Sequence, residues 1–342
     1  MTREPRSECS PAPAAADIPA VPDAKPAPGD AIVIALGGNA ISPPTHEGTI
    51  TRQFEQTRAS AAALVDVIAG DRPVVITHGN GPQVGSAVRR VELSAHEVYD
   101  LPLSICVADL QGGMGYMISQ CLNDELESRS LPQRVAAIVT RVEVDPNDPA
   151  FALPTKPIGP HYERARAARM QAIGWQMVEM PPHGWRRVVP SPRPMRILEI
   201  DLIRRLVDQG VPVIAAGGGG VPVVRDGDGR FQGREAVIDK DLASALLAEQ
   251  IGAARLLIVT GEDRVCLEFG TPSQRPLDEL STADARRHLA SGQFPPGSMG
   301  PKIQAAIDFL DRSTNPGAEV IISDIDHMSA ALRGVAGTRI TR

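Results

Sequence analysis

Four times along this chain a short apolar run ends in a glycine-rich turn, and that repetition constrains the fold more than any other feature. Residues 31–36, A-I-V-I-A-L, run into Gly37, Gly38 and Asn39; 73–77 run into His78-Gly79-Asn80-Gly81; 211–216 run into the four glycines 217–220; and 255–260 run into Gly261-Glu262. Continuous apolar runs of this length are expected of parallel strands buried on both faces. Residues 50–68, 111–129, 197–209, 242–251, 282–291 and 303–310 read as helices between them, 134–142 as a further strand, and 320–323 and 338–341 as closing strands. The sum is an α/β chain with βα alternation and a mainly parallel sheet. Ligands of such sheets collect at the carboxyl ends of the strands, so the glycine turns mark the working edge.

Two stretches break the rhythm. Residues 143–193 crowd prolines into V-D-P-N-D-P-A-F-A-L-P-T-K-P-I-G-P and M-P-P-H-G-W-R-R-V-V-P-S-P-R-P, which excludes a central strand or a long helix and predicts a small protruding loop-and-hairpin subdomain carrying Lys156. The alternatives for it are a mere surface excursion and a lid. Residues 1–30 are a Pro/Ala-rich arm with mixed charge, expected to be disordered because it cannot bury enough apolar surface to offset its ordering. The arm lacks the apolar core of a signal peptide and is too acidic for a transit peptide.

Composition narrows the function. The net charge of −6 and the absence of a Lys/Arg block remove the electrostatic footprint of a nucleic-acid binder. No apolar run reaches the roughly 18 residues that span a bilayer, so a soluble protein is expected. Cys9, Cys106, Cys121 and Cys266 are scattered without C-x-x-C spacing, which predicts neither a zinc site nor a disulfide framework and fits a reducing cytoplasm. The seven histidines form no metal-ligand pattern; His78 alone lies in a motif and reads first as a structural histidine.

Lysine is the scarce residue. Of 35 cationic residues only four are lysine, at 25, 156, 240 and 302, and the last three sit in T-K-P-I-G-P, I-D-K-D and G-S-M-G-P-K-I. They are either ordinary solubilising charges or sites that need a compact point charge on a flexible stem, which a planar guanidinium does not replace. A phosphoryl group in transfer is one target for such charges. Lys240 and Asp241 are expected at a strand-to-helix junction, where a helix N-terminus favours anions. The nucleotide-binding signatures G-x-x-x-x-G-K-[ST], H-R-D with D-F-G, and G-x-G-x-x-G are absent, so a nucleotide reaction here needs a different cradle.

Six motifs, A-L-G-G-N-A (35–40), T-H-G-N-G-P-Q-V-G (77–85), P-T-K-P-I-G-P (154–160), A-A-G-G-G-G-V-P-V (215–223), E-A-V-I-D-K-D-L-A-S (235–244) and G-S-M-G-P-K-I (297–303), closely resemble those of carbamate kinases, in the same order. The resemblance runs from about residue 31 to the end. It implies the amino-acid-kinase fold, an αβα sandwich that usually dimerises, in which ATP or ADP occupies the C-terminal half and the small acid the N-terminal half. Sister kinases carry K-x-G-G at the first glycine pair, where this chain has Ala35; carbamate kinases draw charge instead from residues matching Lys156 and Lys240. Gly261-Glu262 departs from the family's usual T-D-V, and Ala108-Asp109-Leu110-Gln111 from A-E-x-Q.

What the resemblance implies is reversible phosphoryl transfer between ATP and carbamate, giving ADP and carbamoyl phosphate, with Mg²⁺ carried mostly on nucleotide oxygens and water, and with use in arginine breakdown. Lys156, Lys240, Asp241 and Lys302 are the expected catalytic residues. Gly37, Gly38 and Asn39 are expected to hold the transferring phosphoryl group through backbone N–H groups, and Gly79 and Asn80 to close the carbamate side. Gly217, Gly218 and Gly219, with Lys240 and Lys302, are expected on the nucleotide. No protein-borne metal site is expected. A non-catalytic nucleotide sensor on the same fold, or a kinase for another small acid, are the alternatives.

Overall fold

A computed structural model of the chain describes residues 29–41, 49–95, 97–295 and 297–342. The arm expected over 1–30 lies outside the described residues except for Gly29 and Asp30. Eight strands form the central sheet in the spatial order Glu279–Ser281, Thr338–Thr341, Glu319–Ser323, Arg255–Val259, Ile32–Leu36, Val74–His78, Val213–Ile214, Ala136–Ala137. All neighbours are parallel except Glu319–Ser323 and Thr338–Thr341.

The layers follow from the two-residue period of a strand. In the central strand Val33 and Ala35 point into one apolar core with the helices Lys240–Ile251 and Met299–Arg312, while Ile32, Ile34 and Leu36 point into the other with the helices Ile50–Ile68 and Leu103–Ser128. With both faces covered, every residue of Ile32–Leu36, Val74–His78 and Val213–Ile214 is buried, which is why those strands read as unbroken apolar runs. The architecture is the mainly parallel α/β sheet the alternation predicts, layered as the αβα sandwich the resemblance implies.

Several boundaries differ, each for a local reason. The single strand expected over 134–142 is two, Ala136–Ala137 in the central sheet and Arg141–Val144 in a separate four-stranded sheet. Between them the Gln111 amide takes over the ladder's hydrogen bonds, donating to the Thr140 carbonyl at 3.0 Å and accepting the Thr140 N–H at 2.9 Å. The H-G-N-G-P turn is also the start of an unexpected helix, Gly81–Ser94, with proline in its first turn, where a missing N–H costs nothing. The next helix begins at Leu103 rather than 111, because Glu235 accepts the Leu103 N–H at 2.7 Å. An unexpected hairpin, Val221–Arg225 with Phe231–Gly233, follows the four glycines. Residues 234–239 are not a strand, so Lys240 stands at the end of an irregular segment rather than at a strand-to-helix junction.

The proline-rich stretch contains a three-stranded antiparallel sheet, Lys156–Tyr162, Trp185–Val189 and Met177–Glu179, and a helix, Arg164–Ala172, in addition to the expected loops. It docks against Gly81–Ser94, where Gly85 and Gly159 meet so closely that a Cβ on Gly85 would lie 2.9 Å from the Gly159 Cα. Ile158 and Val189 join Val84, Val88 and Val237 in a small apolar cluster beneath it.

Candidate functional site

The helix Lys240–Ile251 starts where Asp239 caps it: one carboxylate oxygen accepts the N–H groups of Asp241 at 2.9 Å and Leu242 at 3.5 Å. Ser244, one turn on, donates to the Lys240 carbonyl at 2.6 Å and meets Thr77 of the neighbouring strand at 2.6 Å, fixing the first turn against the sheet. Asp241 therefore points inward with its side chain only 5% exposed, and each of its oxygens takes one lysine. Lys240 Nζ lies 2.5 Å from Oδ1, and Lys302 Nζ, from the first turn of the helix Met299–Arg312, lies 3.1 Å from Oδ2.

The electrostatics of this triad are those of a buried anion shared by two cations. Burial alone would raise the Asp241 pKa, but Lys240 and Lys302 overturn it and hold the carboxyl at about 2. Burial pushes the Lys240 pKa down, Asp241 opposes that shift, and Lys302 adds to it. The net positive charge sits at the inner end of a cleft of about 430 Å³, lined among others by Gly37, Gly38, Thr260, Gly261, Asp324 and Asp326.

The glycines expected around that charge divide into two groups. The Gly37 N–H donates to the Val259 carbonyl at 2.9 Å and the Gly79 N–H to the Leu36 carbonyl at 3.1 Å, so neither is free to hold a phosphoryl oxygen. Their glycine identity has another cause: a Cβ on Gly37 would lie 2.7 Å from the Val259 oxygen, and Gly79 is the bed over which the Lys240 stem passes. Gly38 and Asn39 lie in a short 3-10 turn, Gly38–Ala40, and Gly38 is exposed to the cleft with open space where a Cβ would stand.

Gly217, Gly218 and Gly219 are buried and do not line that cleft. They pass instead over the second motif: a Cβ on Gly217 would lie 2.4 Å from His78 Nε2, on Gly218 2.1 Å from Asn80 Nδ2, and on Gly219 2.5 Å from the Ile238 oxygen. Only glycine fits that path, and Gly218 has φ of 65° besides. Asn80 is 3% exposed, and its amide nitrogen has no hydrogen-bond partner. A buried, unused donor is costly and marks a place where a ligand oxygen would be accepted.

His78 stands beside these groups as a neutral imidazole. Burial drives its pKa down to about 4; the Gly79 carbonyl, 3.1 Å from Nδ1, resists the shift and Lys240 adds to it. Lys156 reaches the same region from the small antiparallel sheet, donating to Asp239 Oδ2 at 3.2 Å and to the Ile238 carbonyl at 3.3 Å. The fold thus brings together Lys156, Lys240, Asp241, Lys302, Gly38 and Asn80. Asp239, Asp324 and Asp326 were not foreseen. Asp239 had a signal in the aspartate that precedes a helix, and Asp324 and Asp326 in S-D-I-D directly after an apolar run.

Comparison with known proteins shows the family of the chain. A family model described as the amino acid kinase family matches residues 30–322. The carbamate kinase-like protein YahI of Escherichia coli is 47% identical, covering 91% of this chain and 98% of its own length. The carbamate kinase of Pyrococcus horikoshii is 42% identical, covering 91% and 98%. Among solved structures, carbamate kinase from Giardia lamblia bound to AMP-PNP superposes with a TM-score of 0.84 at 37% identity, covering 92% of this chain and 98% of that one.

Proposed function

From the premise that this chain belongs to the amino acid kinase family and is a phosphotransferase related to carbamate kinases, we propose that it transfers a phosphoryl group reversibly between ATP and carbamate, giving ADP and carbamoyl phosphate. The observation that carries the reading is Asp241 holding Lys240 and Lys302 by its two oxygens at the head of a cleft. A carbamate oxygen attacks the γ-phosphorus in line. Carbamate is already an anion and needs no general base, so catalysis reduces to positioning and to neutralising charge.

Roles follow from position. Lys240 and Lys302 neutralise the transferring and leaving oxygens, and Asp241 keeps the two ammonium groups from driving each other apart. Gly38 and Asn39 receive the phosphates at the 3-10 turn. The Asn80 amide donates to the carbamate side, and the Gly217–Gly219 backbone forms the wall behind it. Lys156 arrives on the small sheet, which acts as a lid over the acceptor.

Among the described residues no group of three or more His, Cys, Asp or Glu is arranged to hold a metal. Asp241 is fully occupied by lysines, so the Mg²⁺ proposed here is held by nucleotide oxygens and water, where it would neutralise phosphate charge. We further place the enzyme in the cytoplasm, as a homodimer, making ATP in arginine breakdown. Exposed Ile105 and Tyr116 on the helix Leu103–Ser128 offer an apolar face for a second copy. A non-catalytic sensor would be expected to have lost part of the lysine set, and all three of its members here are engaged with acidic partners.

The test is ATP formation from ADP, Mg²⁺ and carbamoyl phosphate by the purified protein, beside Lys240→Ala. Formation in the wild type with loss in the variant supports the assignment. ADP binding without ATP formation from carbamoyl phosphate would overturn it.

A further inference from the structure

Resting on that reading, we propose that Asp239 is a positioning residue that couples the lid to the phosphoryl-transfer helix: one carboxylate caps the helix bearing Lys240 and Asp241 and at the same time holds Lys156 in place for the acceptor. The two jobs use different oxygens. Oδ1 accepts the Asp241 and Leu242 N–H groups at 2.9 and 3.5 Å, and Oδ2 accepts from Lys156 Nζ at 3.2 Å.

The geometry around the pair makes the coupling specific. Lys156 is the first residue of the strand Lys156–Tyr162, whose partner is Val189, so its backbone is set by the small sheet. Its ammonium has a second acceptor in the Ile238 carbonyl at 3.3 Å, and Gly219 packs so closely on that carbonyl that a Cβ there would stand 2.5 Å away. Ile238 and Gly219 therefore tie Lys156 to the glycine wall that faces Asn80. A lysine has three rotatable donors on a flexible stem and loses much freedom when ordered. A carboxylate fixed by a helix N-terminus removes that freedom before the substrate arrives, leaving a donor free for an incoming anion.

The pair is about a quarter exposed on each side, with side-chain exposures of 26% and 25%, which keeps it exchangeable. A purely structural cap would need only the Oδ1 contacts, so the two roles can be separated. Asn keeps a cap acceptor and removes the charge; Ala removes both.

The experiment is a double-mutant cycle with Asp239→Asn and Lys156→Ala, read as KM for carbamoyl phosphate and as kcat, with hydrogen exchange over 156–162 alongside. The expected result is that Asp239→Asn raises KM about tenfold, as expected for one charge-assisted contact, with a smaller change in kcat and unchanged thermal unfolding. Exchange over 156–162 is expected to speed up in the absence of substrate. In the Lys156→Ala background the same substitution should have no further effect on KM. Full additivity of the two substitutions, or a wild-type KM in Asp239→Asn, overturns the coupling while leaving the kinase assignment standing. A wild type that makes no ATP from carbamoyl phosphate removes the assignment itself, and then unchanged exchange in Asp239→Asn would remove the lid contact as well.

Discussion

Lys302 Nζ and Asp241 Oδ2 stand 3.1 Å apart although 61 residues separate them in the chain, and their meeting is what turns two packed helices into a site. The helices Lys240–Ile251 and Met299–Arg312 share one apolar core through Ala245, Leu246, Ile303 and Ala306. Their N-terminal turns are thereby brought to one point, each contributing a lysine, with the carboxylate between them. Asp241→Asn leaves two buried ammonium groups without their anion. We expect a loss of roughly 10² to 10³ in kcat, by the measure of single groups that stabilise transition-state charge. Removing one member of a buried charge set should also cost about 3 to 5 kcal/mol of stability. Steady-state kinetics and urea unfolding test the two effects separately; near-normal kcat would exclude the role given to Asp241.

Lys302→Arg tests whether charge alone suffices. The Lys302 side chain is 13% exposed, and Lys240 already takes the other Asp241 oxygen, so a planar fork at 302 would find only one of the two oxygens it pairs with. Lys302→Arg should keep the fold and remain roughly 10² below the wild type in rate, close to Lys302→Ala. Recovery to wild-type turnover would show that any cation serves there.

The glycines should separate into two classes by substitution. Gly218→Ala places a Cβ 2.1 Å from Asn80 Nδ2 at a backbone with φ of 65°, so it should destabilise the protein by about 1 to 3 kcal/mol and abolish activity together. Gly38→Ala meets nothing within 4 Å and faces the cleft, so its unfolding curve should match the wild type while the KM for nucleotide rises. Equal stability losses in the two variants would contradict this division.

The central strands were legible because their cause is local. Ile32–Leu36, Val74–His78 and Arg255–Val259 are buried on both faces, and that burial is written directly into apolar runs. Lys240 and Lys302 were legible because lysine is rare here and both lie at glycine- or aspartate-marked helix starts. What was not legible depends on contacts across the chain. Nothing near residue 37 or 79 announces that their N–H groups are spent on Val259 and Leu36, and nothing near 217–219 says that His78 and Asn80 lie beneath. Four glycines in a row point to close approach to a ligand, whereas the groups they approach in the structure are His78, Asn80 and the Ile238 carbonyl. The split of 134–142 is hidden in the same way, since the side chain that interrupts it is Gln111, on a helix elsewhere.

The acid side of the stability profile should carry the signature of His78. Its pKa in the folded chain is about 4 against 6.5 when free, first because it is buried and further because Lys240 is near, with the Gly79 carbonyl acting the other way. Between pH 6.5 and 4 the unfolded chain binds a proton that the folded chain refuses, so stability falls as pH is lowered through that window, by about 3 kcal/mol in full. Asp241, held at about 2 against 3.8, gives a loss of the same sign, but only below about pH 4. His327 has the opposite sign: Asp324, through its hydrogen bond and its charge, raises its pKa, so its contribution is present at low pH and lost as pH rises through the folded value. His327 is exposed, and its effect should be small beside that of a buried imidazole. Urea unfolding midpoints from pH 7 to 4.5 should therefore fall in the wild type and fall less in His78→Asn, with a slope shallower by the uptake of about one proton. If the two slopes coincide, His78 titrates normally in the folded protein, and its place under Gly217 is not the closed, neutral one described above.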